Sequence, residues 1–135
     1  MQAQSAGTSR VYVTTAPGSP TVLGYYALAA GAVEPADTSG RLRKGIGRHP
    51  IPVVLLTRLG VDVRAQGIGL GAALVRDALL RVAAAADVIG VRALLIHAES
   101  DRARAFYEHI AEFEPSPTDP LHLILLMKDL RRALE

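Results

Sequence analysis

Apolar residues recur along the chain with two periodicities, and these divide it into strands and helices. Val11–Thr15 alternates and is rich in β-branched and aromatic residues, which predicts a strand. Pro17, Gly18, Ser19 and Pro20 read as a turn and Thr21–Ala30 as a second strand, so the pair makes a hairpin. From Gly31 to Pro50 the prolines and glycines predict a loop with room for one helical turn at Gly40–Lys44. Ile51–Val63 is a long apolar strand in which Gly60 marks a bulge or a close backbone approach. Between Gly67 and Ala86 the stripe Val75, Leu79, Val82, Ala86 has helical spacing, and Gly90 stops the helix. Val91–Ala98 is a continuous apolar run, as in a strand buried on both faces. Ser100 or Asp101 caps a second helix that runs to about Glu112. A loop rigidified by Pro115, Pro117 and Pro120 follows, and Leu121–Asp129 reads as a last strand.

The order is β-β-β-α-β-α-β. The strand–helix–strand unit across Ile51–Ala98 demands a parallel pair, while the hairpin makes the rest antiparallel. The expected fold is therefore α/β (α+β), a mixed, mainly antiparallel central sheet with flanking helices. Residues 1–9, small and polar, read as a flexible leader, and residues 10–135 as one domain.

Composition removes several chemistries. Without cysteine there are no disulfides, thiolate nucleophiles or cysteine-based metal sites. The four histidines are scattered without metal spacing, so no metal is expected, and His97 reads as packed or hydrogen-bonded at a strand end. A net charge of +2 is too small for nucleic-acid binding through the overall field. No apolar run reaches the ~18–20 residues of a membrane span, and the first residues lack the apolar core of a signal peptide. The chain reads as cytoplasmic.

The sharpest feature is the segment from Arg64 through Gln66, Gly67, Ile68, Gly69 and Leu70 to Gly71, set between a strand and a long helix. Glycines at alternate positions let a turn approach a ligand closely. A helix beginning there aims unpaired N–H groups and the positive end of its dipole at one point, the geometry that holds a phosphate. The spacing G-x-G-x-G is neither the dinucleotide fingerprint nor a Walker loop.

Arg-x-x-Gly-x-Gly in this position resembles the acetyl-CoA pyrophosphate loop of the GNAT N-acetyltransferases. Ala103-x-x-Phe106-Tyr107-Glu108, one strand further on, is similar to that family's second coenzyme-side helix. More narrowly, the run ARAFYE and the later EPSPTDPLHLILLMKDL resemble the acetyltransferase toxins of bacterial type II toxin–antitoxin modules, as do GYYALAAG and HPIPVVLLTRLGVD. The resemblance implies a GNAT-like fold, here without the family's first strand and first two helices. It implies that backbone groups around Leu59, Val61 and Val63 hold the pantetheine arm. It further implies that Arg64 and Gln66–Gly71 hold the pyrophosphate, and that Ser100 and Phe106 flank the coenzyme. Tyr107, with a phenol pKa near ~10, would protonate the departing thiolate as general acid.

The same resemblance implies acetyl transfer to the α-amine of aminoacyl-tRNA, an antitoxin partner of ribbon-helix-helix type and a homodimer. Arg41, Arg43, Lys44 and Arg48 form a basic run that would track tRNA phosphates. Two alternatives stay open: a domain that binds acetyl-CoA or antitoxin without turnover, and an acetyltransferase acting on a small-molecule or protein amine.

Overall fold

A computed structural model of the chain describes residues 2–6, 9–34, 40–43 and 49–135. Seven strands form one sheet: β1 (Gln2–Ala6), β2 (Ser9–Thr15), β3 (Val22–Val33), β4 (Ile51–Val61), β5 (Ala93–His97), β6 (Glu114–Pro115) and β7 (His122–Leu126). Among the described residues four α-helices accompany them, α1 (Gly40–Arg43), α2 (Leu70–Ile89), α3 (Asp101–Ile110) and α4 (Met127–Ala133), with one 3-10 turn at Val63–Ala65. The spatial order is β1-β2-β3-β4-β5-β7-β6. Only β4 and β5 run parallel, joined by the α2 crossover; every other pair is antiparallel. The mixed sheet expected from the apolar pattern is the one observed. No helix among the described residues is long and apolar enough to cross a membrane.

Three elements differ from the pattern reading. Pro115, expected in the proline-rigid loop, instead pairs with Leu123 in the short edge strand β6, where a missing N–H is tolerated. Residues 2–6, expected to fray as a leader, pair antiparallel with β2, Gln2 opposite Val13 and Ala6 opposite Ser9. Backbone pairing needs no apolar side chains, and β2 would otherwise present an unpaired edge. The last strand stops at Leu126 rather than Asp129, and Met127–Ala133 turns helical. Met, Lys, Leu, Arg and Ala are good helix formers, Asp129 sits in the first turn and Arg131 and Arg132 in the last, matching the dipole. Met127 and Leu130 are buried by the turn.

The two faces of the sheet are covered unequally. Leu56, Leu94, Ile96, Leu123 and Leu125 point to one face and pack with Leu74, Val75, Leu79 and Val82 of α2, with Tyr107 and with Leu130. On the other face Val53, Ala93, Ile124 and Leu126 meet Leu42 of α1, and Leu55 and Leu95 are only half-buried there.

A polar knot fixes α2 on the larger face. The Tyr12 and Tyr26 rings stack at 5.1 Å. Tyr26, fully buried, donates its hydroxyl proton to Asp77 and accepts from Arg81 Nε at 3.1 Å. Arg81 also bonds Asp77 at 3.0 Å and lies 4.1 Å from the centre of the Tyr12 ring. Burial, and then the Asp77 carboxylate, push the Tyr26 phenol well above its ordinary pKa, so it stays the donor. Tyr26→Phe removes a hydrogen bond to a charged group, and urea denaturation should show a loss of about 1.5–3 kcal/mol. An unchanged midpoint would mean the knot adds nothing to α2 docking.

Candidate functional site

The site begins with an irregularity in β4. Ala27 pairs with Arg58 but Leu28 with Leu56, which leaves Thr57 as the extra residue of a bulge. Parallel pairing of β4 with β5 covers Val53–Leu56 against Ala93–Ile96 and ends there. Beyond that point β4 continues along β3 to Val61, while β5 ends at His97 and the chain turns into α3. The sheet therefore opens between two parallel strands, and the β5-facing edge of β4 is left unpaired.

Gly60 is a close approach and not the bulge. A Cβ there would lie 2.6 Å from Cε1 of Tyr25, whose ring lies against it.

Two cavities of about 350 Å³ each open at the gap. The first has walls from β4 (Leu56–Leu59), from the β5–α3 corner (Glu99, Ser100) and from Ala103, Phe106 and Tyr107 of α3. The second is lined by Leu55, Leu95, His122 and Leu123. Leu56, Thr57, Ile96 and His97 belong to both. Since Leu55 and Leu95 point to the sheet face opposite Leu56 and Ile96, the gap can be reached from either face.

The glycine loop lies at the far end of the unpaired β4 edge. Gly67 and Gly69 take φ of 82° and 83°, a region that side chains with a Cβ rarely enter, and nothing lies within 4 Å of a Cβ built at either. Gly69 is the N-cap of α2, and no side chain caps the helix. The first intrahelical bond runs from Ala73 N–H to Gly69 C=O, so the N–H groups of Leu70, Gly71 and Ala72 precede it. With no acidic residue in that turn, the helix end is an open anion site of the kind a diphosphate fits.

The other expected coenzyme residues fall around this axis. Leu59 lines the first cavity. The Val61 carbonyl accepts from Gln66 Nε2 at 3.1 Å, which clamps the corner between strand and loop. Val63 and Ile68 are exposed beside the loop, 80% and 75% respectively. The Phe106 ring sits 3.3 Å from where a Gly71 Cβ would be, so α3 touches the start of α2 here. Ser100 accepts from Ala103 N–H at 3.1 Å, capping α3 while lining the cavity.

Arg64 does not stand free. Its Nε and Nη2 bond the two carboxylate oxygens of Asp62 at 2.9 and 3.1 Å, and these bonds hold the Asp62 carboxyl down at about 2. Its charge is compensated before any ligand arrives. Arg41 is likewise engaged, paired with Glu114 and, at 3.1 Å, with the buried Asp129. The Arg43 side chain, Lys44 and Arg48 lie outside the described residues.

Tyr107 is buried inside the first cavity, its ring 5.2 Å from Phe106 and 6.1 Å from Phe113. Among the described residues its hydroxyl has no hydrogen-bond partner. Burial, and to a lesser extent the Glu99 carboxylate, raise its pKa, so it carries its proton at neutral pH.

Residue pattern alone missed Arg58 and Arg102, which line the first cavity and make no ion pair among the described residues. The signal was present for Arg58: Thr57 and Arg58 are the polar break in an otherwise apolar strand. The approach of His97 to His122 was also missed.

No family model matches the chain. A curated relative, the tRNA-acetylating toxin of Mycobacterium tuberculosis, is 57% identical over 128 residues, covering 95% of this chain and 75% of the relative. Among solved structures, AtaT complexed with acetyl-methionyl-tRNAfMet superposes with a TM-score of 0.83 at 30% identity, over 95% of this chain and 76% of that one. A tyrosine-to-phenylalanine mutant of AtaT, bound to acetyl-CoA and the C-terminus of the antitoxin AtaR, superposes with a TM-score of 0.73 at 28% identity. That match covers 92% of this chain and 70% of the other.

Proposed function

The chain belongs to the GNAT-type tRNA-acetylating toxins, and from that premise we propose that it moves an acetyl group from acetyl-CoA to the α-amine of aminoacyl-tRNA. The observation that carries the reading is the two-faced gap, with a tyrosine hydroxyl beside it that has no partner among the described residues and a helix without a side-chain cap at its end. A thioester and an amine can reach one point from opposite sides of the sheet.

The coenzyme's pyrophosphate would rest on the N–H groups of Gly69, Leu70 and Gly71, within the cradle from Gln66 through Gly67 and Ile68. Its pantetheine arm would follow the unpaired β4 edge past Val63, Val61 and Leu59, with Ser100 and Phe106 on the α3 side. Arg58 and Arg102, which make no ion pair among the described residues, would supply positive charge at the rim of the same cavity. The amine attacks the thioester carbon, the C–S bond breaks, and the thiolate takes the Tyr107 proton. The proton released by the amine goes to water. Acetylated, the amine has no lone pair free for peptide-bond formation, and translation stops.

The same reading extends to partners and place. A ribbon-helix-helix antitoxin would hold the toxin inactive, supported by the relative bound to an antitoxin's C-terminus. A homodimer, which the resemblance implies, would complete the assembly. Its site of action would be the cytoplasm, where charged tRNA is.

Incubating the chain with labelled acetyl-CoA and a pool of charged tRNAs should transfer label to the aminoacyl group, and uncharged tRNA should take none. Transfer to free amino acids or proteins, with charged tRNA untouched, would replace this acceptor by a small-molecule or protein amine. Coenzyme binding without any transfer would leave a binding domain.

A further inference from the structure

The pairing of β5 with β7 sets His97 directly opposite His122 at the open end of the sheet. Their rings meet edge to face, centres 4.2 Å apart. Asp119 completes the group, with one carboxylate oxygen 3.6 Å from His122 Nε2. That distance is too long for a hydrogen bond, and among the described residues this oxygen accepts none. We propose that His97, Asp119 and His122 form a binding site for a divalent transition-metal ion, zinc by preference, at the mouth of the second cavity.

Three observations support it. One potential ligand atom from each residue lies within 4.8 Å of the other two. Around a tetrahedral zinc with bonds of ~2.0–2.2 Å, ligand atoms are about 3.3–3.6 Å apart. His97 and His122 are exposed, so side-chain rotation closes the difference without moving the strands.

Next, the backbone and one of the ligands are already fixed. The two histidines sit on paired strands, and the Asp119 carboxylate is oriented through its other oxygen, which accepts from Leu121 N–H at 2.9 Å. The His122 N–H donates to the Asp119 carbonyl at 3.1 Å, closing the turn that carries both residues. A ligand fixed by a bond to its far oxygen loses little freedom on binding metal.

Lastly, the donor set selects the ion. Two imidazoles and one carboxylate suit zinc and its neighbours in the transition series, whereas calcium and magnesium want oxygen alone. Three protein ligands leave a fourth position open, as in sites where a water completes the shell. His97 and His122 both line the second cavity, so a bound ion and its water sit at that mouth. Occupancy therefore narrows access to the gap from the face opposite the pantetheine arm, by which the amine would enter; this consequence rests on the acetyl-transfer reading, while metal binding itself does not.

The test is calorimetric titration of the full chain with zinc chloride, beside His122→Ala and Asp119→Asn. Asn keeps an oxygen for the Leu121 bond and removes the charge. One equivalent should bind the wild type, with affinity reduced tenfold or more in each variant. Cobalt should give the visible absorption of a tetrahedral site in the wild type and lose it in His122→Ala. Absence of binding, or equal affinity in all three chains, overturns the site. Acetyl transfer with and without zinc then reads the consequence: the wild type should be inhibited and Asp119→Asn should need at least tenfold more metal. Zinc bound at one equivalent with transfer unaffected overturns the occlusion and leaves the site standing.

Discussion

Tyr107→Phe should cut the rate of acetyl transfer to aminoacyl-tRNA by ~10²–10⁴-fold, the usual contribution of a positioned general acid. Acetyl-CoA affinity and the thermal midpoint should stay near wild type. The separation follows from the geometry. The hydroxyl has no partner among the described residues, so deleting it strands no buried donor or acceptor. The ring keeps its contacts with Phe106 and Phe113, and Phe fills the same space. What disappears is one proton for the leaving thiolate. The pH profile carries the same signature. Because burial and the Glu99 carboxylate raise the Tyr107 pKa above its ordinary ~10, the acid form persists across the neutral range. The rate should therefore climb as the acceptor amine loses its proton, near ~8 for an α-amine, and should not fall again below about pH 10. Single-turnover kinetics on a charged tRNA would measure both effects. A variant retaining more than a tenth of the wild-type rate would remove Tyr107 from the chemistry and leave it a packed core tyrosine.

How far the sequence foretold this site depends on whether a feature is local. The glycine loop was legible because Gly67 and Gly69 need only their neighbours: a strand before, a helix after, and a positive φ that few residues but glycine take easily. The Ser100 cap and the Phe106–Tyr107 pair are local in the same sense, set by helical spacing. Charge was legible as a residue type but not as a state. Arg41 looks free in its basic run, yet its partner Asp129 stands 88 residues away, and only the fold brings them together. Arg64 was closer to readable, since Asp62 precedes it by two positions. The short apolar run ending in Met127 was ambiguous because period alone cannot separate a strand from a buried helix start. The bulge at Thr57 and the meeting of His97 with His122 are matters of strand register, which no single segment encodes. The glycine loop, the helix cap and the aromatic pair were thus local and readable, and the features of the opposite face were long-range and hidden.

The second large effect separates strain from recognition. Gly69→Val and Gly18→Val each force a β-branched residue into a positive φ, 83° at the helix cap and 69° in the β2–β3 turn. Neither new Cβ meets an atom within 4 Å, so the cost is conformational in both, about 1–3 kcal/mol, and urea denaturation should show similar losses. Only Gly69 belongs to the proposed diphosphate cradle. At Gly69 the new side chain would stand where, on the proposed reading, the coenzyme's pyrophosphate approaches the N–H groups of Leu70 and Gly71. Losing two hydrogen bonds to a charged group, at about 1.5–3 kcal/mol each, weakens binding by roughly 100-fold or more. Gly18→Val should bind acetyl-CoA as the wild type does. Calorimetry on the three chains at a temperature where all are folded decides the matter. Equal affinity in the two variants would show that the loop's glycines serve only its shape and that the diphosphate lies elsewhere. A loss confined to Gly69→Val would tie the anion to the uncapped end of α2, where the backbone supplies the N–H groups and the absent Cβ supplies the access.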